Sequence, residues 1–156
     1  MKPAITTILV PTDFSPASKG ALAYARLLAE RFGASLHVVH VCEEAVMAAA
    51  WSEGYALSLL QIHEQIKESS EKQLAALVAG LGDVPASTEV LSGTPAKAIV
   101  EAARARKASV IVMGTHGFGA LNHLLLGSVA ERVVRTAPCP VLTVREHAEE
   151  VVNEAA

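Results

Sequence analysis

Strand-like and helix-like segments alternate along the whole chain, which predicts an α/β fold: a single doubly wound five-stranded parallel sheet flanked by helices. Two further observations agree. Several strand-like runs are short and uniformly apolar, the pattern of strands covered on both faces. Aromatics make up only 4% of the residues, so the core must be built from Val, Leu, Ile and Ala, which suits helices packed on a sheet. The 156 residues match one such domain, placed at 1–146, with an acidic tail at 147–156.

Ile5 to Val10 is a β-branched apolar run that stops at Pro11-Thr12-Asp13. Ser15-Pro16 then reads as an N-cap followed by proline at the first helical position, where its missing N–H costs nothing. Leu22, Ala25, Leu28, Ala29 and Phe32 recur at helical spacing, and Gly33 stands where a left-handed stop belongs. Ser35 to Val41 is the second strand, and Glu43 to Gly54 reads as a loop. Tyr55 to Leu81 is a long helix with Leu59, Ile62, Ile66, Leu74, Leu77 and Leu81 on or near one face, a stripe that reads as core. Ser87 to Leu91 is more polar and is placed near a sheet edge. Thr94-Pro95 repeats the cap-plus-proline device and opens a helix to about Arg106. Ser109 to Met113 is uniformly apolar and therefore central. A glycine-rich connection from Gly114 to Gly127 leads to a helix over Ser128 to Ala137, and Pro138 and Pro140 bracket a stop before the last strand, Val141 to Val144.

Composition narrows the function. The formal net charge is −3 and no run of Lys or Arg forms a basic stripe, which argues against a nucleic-acid surface or an anionic-membrane anchor. Cys42 and Cys139 lack C-x-x-C spacing and read as structural thiols. The opening residues carry no apolar signal stretch and no run approaches the length of a membrane span, so a cytoplasmic location is expected. His37 and His40, three apart on a strand, face opposite sides and cannot chelate one metal. His63, His123 and His147 read as surface or packing residues.

In a doubly wound sheet, ligands bind beyond the carboxyl ends of the strands, where strand order reverses. The segments after the first and fourth strands are therefore the candidate site. The latter begins Gly114-Thr115-His116-Gly117-Phe118-Gly119 and ends Gly127-Ser128. Glycines allow positive φ and close approach of backbone N–H groups, and a helix opening at Gly127-Ser128 suits a phosphate. The dipole supplies only about 0.3–1 kcal/mol at an exposed end, whereas micromolar affinity needs about 8 kcal/mol. Several N–H groups, base burial and ribose contacts must act together. A structural alternative stands beside this: Ser128 and Glu131 match an S-x-x-E capping box, and Gly114 could end a strand in a turn. A Walker A loop is absent, and the Rossmann fingerprint fails at Asn122, where its third glycine should stand.

At these residues the chain resembles the universal stress protein family. The nucleotide-binding members share a G-x2-G-x9-G-[ST] signature, met by Gly114, Gly117, Gly127 and Ser128 after the fourth strand. Val129-Ala130-Glu131-Arg132, Ala137-Pro138-Cys139-Pro140-Val141 and Pro11-Thr12-Asp13-Phe14-Ser15 are also family-like, and the resemblance covers about residues 4 to 145. It implies an adenine nucleotide alpha hydrolase-like fold that binds ATP or AMP, with Mg held through the phosphates. Asp13 would accept hydrogen bonds from the ribose or the adenine side, its alternative being an Asx-type turn or cap near Ser15. Pro11, Thr12 and Val41 would frame the adenine. Gly114 and Gly117 would let the loop pass under ribose and phosphates, with Met113, Thr115, His116, Phe118 and Gly119 beside them. Gly127, Ser128 and Val129 would hold the phosphates.

The chain departs from the family at one place. Relatives often carry a basic residue after the second glycine, where Phe118 stands, and no Lys or Arg lies between Gly114 and Ser128. Phosphate charge would fall to N–H dipoles, a divalent cation and protonated His116. Trp51 and Tyr55 could shield a ligand or equally serve as core or dimer contacts. The resemblance also implies a homodimer paired antiparallel through the last strand, Val141, Leu142, Thr143 and Val144. Two other readings stay open: an interaction protein of the same fold without a nucleotide, and a slow ATPase. A phosphotransfer receiver does not fit, because Leu91-Ser92-Gly93 stands where its aspartate should end the third strand.

Overall fold

The computed structural model describes residues 4–43, 56–116 and 126–146. Within them β1 (Thr7–Pro11) leads to α1 (Pro16–Phe32), β2 (Ser35–Glu43), α2 (Ala56–Ala79) and β3 (Ala86–Gly93). Then follow α3 (Pro95–Ala105), β4 (Val110–Gly114), α4 (Ser128–Thr136) and β5 (Val141–Val144). The strands form one parallel sheet in the order β3-β2-β1-β4-β5. Strand order therefore reverses between β1 and β4. Both β3 and β5 are edges, as the polar and terminal strands implied.

Alternate side chains of the central strands feed two cores. Ile8, Val10, Leu36, Val38 and Val112 meet Ala21, Ala25 and Leu22 of α1 and Leu74 of α2. On the other face Leu9, Val39, Ile111 and Met113 meet Ile99 and Ala103 of α3 and Ala130 and Val133 of α4. Ile8, Leu9, Val10, Ile111 and Val112 have no exposed surface at all, which accounts for the unbroken apolar runs of β1 and β4.

Local signals operate as the residue types dictate at α1. The Ser15 hydroxyl accepts the Ser18 N–H, Pro16 occupies the first turn, and Gly33 closes the helix at φ 65° with its N–H on the Ala29 carbonyl. The device at Thr94-Pro95 differs: Thr94 is the N-cap of α3 but makes no side-chain cap bond. The stripe on α2 is buried only in part. Leu74 and Leu81 are core, whereas Ile62 and Ile66 stand about half exposed, at 47% and 46%. The reason is length: 24 helical residues span about 36 Å, and the 8 residues of β3 about 26 Å, so the N-terminal half of α2 overhangs the sheet.

His37 is buried at the α3 side of the sheet. Its Nε2 donates to Glu89 Oε2 at 2.9 Å and its Nδ1 meets Ser87 Oγ at 2.7 Å, while Arg106 donates to the same Glu89 oxygen at 3.0 Å. His40 points to the opposite side, where its Nδ1 meets the Thr12 carbonyl at 2.8 Å. Both cysteines are free thiols, Cys42 buried and Cys139 half-buried. No helix among the described residues is long and apolar enough to cross a membrane.

Candidate functional site

The carboxyl ends of β1, β2 and β4 and the start of α4 surround one cleft of about 590 Å³, within the size range of small-ligand sites. Each wall has a local cause. β1 ends on Pro11, and the chain turns at once, with the Thr12 N–H on the Val39 carbonyl at 2.8 Å. The Thr12 hydroxyl is buried, 3.0 Å from Ser18 Oγ, and accepts the Phe14 N–H at 3.0 Å. Asp13 Oδ1 accepts the Ser15 N–H at 3.0 Å. The Asx-type turn foreseen as an alternative for Asp13 thus forms, on a carboxylate that also lines the cleft. Phe14 holds φ 64°, a left-handed conformation few large side chains adopt. Its ring lies 4.6 Å from the His40 ring. A carbonyl can only accept, so the His40–Thr12 bond places a proton on Nδ1 of His40.

The opposite wall depends on two glycines, for a reason other than positive φ. Neither Gly114 nor Gly127 is among the positive-φ residues; each permits close approach instead. A Cβ on Gly114 would lie 3.0–3.2 Å from the backbone and Cβ of Ala17 in α1. A Cβ on Gly127 would lie 2.9 Å from the Thr115 carbonyl oxygen, which instead accepts the Gly127 N–H at 2.8 Å. This contact sets the start of α4 against the end of β4.

The capping-box expectation for Ser128 is corrected here. Gly127 is the N-cap, Ser128 is the first helical residue, and the start of α4 has no side-chain cap bond. Glu131 pairs with Arg135 at 2.8 Å rather than reaching back. Helix geometry leaves the N–H groups of Ser128, Val129 and Ala130 without intrahelical acceptors, and all three residues line the cleft. His116 adds a second polar group: Nδ1 meets Thr115 Oγ1 at 3.0 Å, while Nε2 is buried with no hydrogen-bond partner among the described residues.

A model of the universal stress protein family matches residues 4–145. The chain belongs to that family. It is 39% identical over 145 residues to a universal stress protein of Methanocaldococcus jannaschii, a match spanning 92% of this chain and 84% of the relative. The solved universal stress protein UspA of Lactobacillus plantarum is 27% identical, with a TM-score of 0.73 over 92% of this chain and all 100% of the other. Another solved universal stress protein, in complex with cAMP, is 25% identical with a TM-score of 0.63, over 92% of this chain and 98% of that one.

The family fold brings together the expected residues from β1 (Pro11, Thr12, Asp13), β2 (Val41), β4 (Met113 through His116) and α4 (Gly127, Ser128, Val129). Gly117, Phe118, Gly119, Trp51, Tyr55 and the tail at 147–156 lie outside the described residues. Sequence reasoning missed His40 and Glu43 of β2, Ser18 of α1, and Pro95 and Ile99 of α3. Glu43 was assigned to a loop, whereas the strand runs two residues past its expected end to reach it.

Proposed function

We propose that this universal stress protein binds an adenine nucleotide, ATP or AMP, in the cleft at the reversal of strand order and serves a regulatory role in the stress response. The observation that carries the reading is the convergence of three features on one cavity. These are the uncapped start of α4, the Asp13 carboxylate and the unpartnered His116 Nε2. A helix start alone is a weak attraction of about 0.3–1 kcal/mol; a buried nitrogen without a partner costs more if nothing meets it. The apolar side of the cleft, with Val39, Val41, Ile99 and Met113, suits a purine face. The relative solved with cAMP supports an adenine ligand. In this reading Mg enters on the phosphates, the protein works in the cytoplasm, and two copies pair through β5.

No Lys or Arg lines the cleft among the described residues. In a slow ATPase, the second reading, charge developing in phosphoryl transfer would therefore fall to the N–H groups of α4, His116 and a divalent cation, and phosphate release is the assay for it.

The test is to denature freshly purified protein, identify any released nucleotide by chromatography, and titrate the protein with ATP and AMP in magnesium by calorimetry. Binding that vanishes in Asp13→Ala supports the site. No binding of either nucleotide up to millimolar concentration refutes the reading and leaves an interaction protein of this fold.

A further inference from the structure

The turn that carries Asp13 to the cleft is held from the neighbouring strand. Phe14 has φ 64°, and a bulky residue keeps a left-handed backbone only where its surroundings over-determine it. Within the turn, the Phe14 N–H donates to Thr12 Oγ1 and the Ser15 N–H to Asp13 Oδ1, each at 3.0 Å. β1 pairs with β2 only as far as Pro11 and Val39, so the Thr12 carbonyl lies beyond the ladder, where His40 Nδ1 donates to it at 2.8 Å. The Thr12 N–H is bonded to the Val39 carbonyl, also at 2.8 Å. Two successive residues of β2 therefore grip Thr12 at both ends of its backbone. Val39 does so with a carbonyl that any residue type supplies, whereas His40 does so with its side chain. The same imidazole lies 4.6 Å from the Phe14 ring, tilted by 35°. Because the Thr12 carbonyl and the Cα of Asp13 share one planar peptide group, the direction of that carbonyl sets the plane from which the Asp13 side chain departs.

We infer that His40 is a positioning residue of the adenine site: by donating from Nδ1 to Thr12 and bracing Phe14, it keeps the left-handed turn that presents Asp13, and so sets ligand affinity through Asp13. The inference rests on the adenine-nucleotide reading above and deepens it. His40 itself lines the cleft, so direct contact with the ligand is the competing account. The two differ in what a substitution does. Positioning needs only an N–H donor at the δ position, which an asparagine side chain supplies at the same number of bonds from the backbone. Phenylalanine keeps a ring against Phe14 and has no donor.

The experiment has a ligand-free arm and a binding arm, both on the full chain. Nitrogen-15 NMR of the unaltered protein at pH 8 should find the His40 proton on Nδ1; a ring protonated only on Nε2 overturns the inference without any variant. Amide exchange at Phe14 and Ser15 should quicken about tenfold in His40→Phe and stay near the wild-type rate in His40→Asn, with exchange at Ile111 in the central strand unchanged in both. In calorimetric titrations with ATP and with AMP in magnesium, His40→Phe should weaken both nucleotides about tenfold, and by the same factor, while His40→Asn stays within about threefold of the wild type. Faster exchange in His40→Phe with unaltered affinity overturns the inference and leaves the adenine reading intact. Weaker binding without faster exchange overturns it too, because His40 then touches the ligand itself. Failure of the wild type to bind either nucleotide removes the adenine reading and the inference with it.

Discussion

Replacing Gly127 by alanine isolates the contact that seats α4 against β4. The backbone there, at φ −62° and ψ 156°, is one alanine adopts freely, so conformational strain contributes nothing. What changes is space. The new Cβ would stand 2.9 Å from the Thr115 carbonyl oxygen, and ordinary contact begins at 3.4 Å. The helix start must therefore retreat by about 0.5 Å, weakening the 2.8 Å bond from the Gly127 N–H to that oxygen. Overpacking of this kind costs about 1–3 kcal/mol, and alanine is a poorer N-cap than glycine. Against this, alanine restricts the unfolded chain and returns about 0.4–1 kcal/mol. The net expectation is a loss of about 1–2 kcal/mol, read by calorimetric melting as a fall of about 3–8 °C in Tm. Because the N–H groups of Ser128 and Val129 move with the helix start, affinity for the adenine ligand should drop about tenfold. Gly80→Ala is the control, since its Cβ would meet only the Leu77 carbonyl at an ordinary 3.5 Å. A Gly127→Ala protein that melts with the wild type and binds equally well refutes the close-approach account.

Two other predictions follow from the edges of the sheet. Pro140 and Val144 give their carbonyls to β4, so by alternation the backbone of Val141 and Thr143 faces outward. Sedimentation should show a dimer at micromolar concentration, and Thr143→Pro, which removes one outward donor, should yield monomer; a wild-type monomer would refute pairing through β5. At the other edge, the hydrogen bond from His37 holds the Glu89 carboxyl below its usual range, aided by Arg106 and opposed by burial. The unfolded chain then binds the extra proton first, so this stabilisation is present above the ordinary carboxylate range and is lost as pH falls through the folded value. The urea midpoint should therefore drop less between about pH 5 and about pH 3 in Glu89→Gln than in the wild type; equal drops would show that the pair is thermodynamically silent, as solvent screening at a 38% exposed side chain could make it.

Element order and type were legible because each was marked by several agreeing signals. Ser15, Pro16 and Gly33 bound α1 as their chemistry requires, and β5 runs over the residues expected of it. The location of the cleft was legible too, since alternation of strands and helices implies a reversal of strand order. Other features were hidden in tertiary distances. An S-x-x-E pattern cannot reveal that Gly127 takes the cap position and that Glu131 turns to Arg135. The half-exposed Ile62 and Ile66 have the periodicity of buried residues, and only the length of the sheet beneath α2 shows that they overhang it. Pro95 and Ile99 enter the cleft wall through the packing of α3 on the sheet, which leaves no mark in local sequence.

The central place of β1 has a consequence for how the protein is made. β1 leaves the ribosome well before β4, yet the N–H groups of Thr6 and Thr7 bond to Ser109, 103 and 102 residues later, and Ile8 pairs with Val110. At about 5–20 residues per second, β1 waits roughly 5–20 s for that neighbour, and β2 can pair only with its other edge in the meantime. The cleft closes last, because it needs β4 and α4 as well as β1. A ligand that binds there could reward completion of the nascent fold, but could not start it.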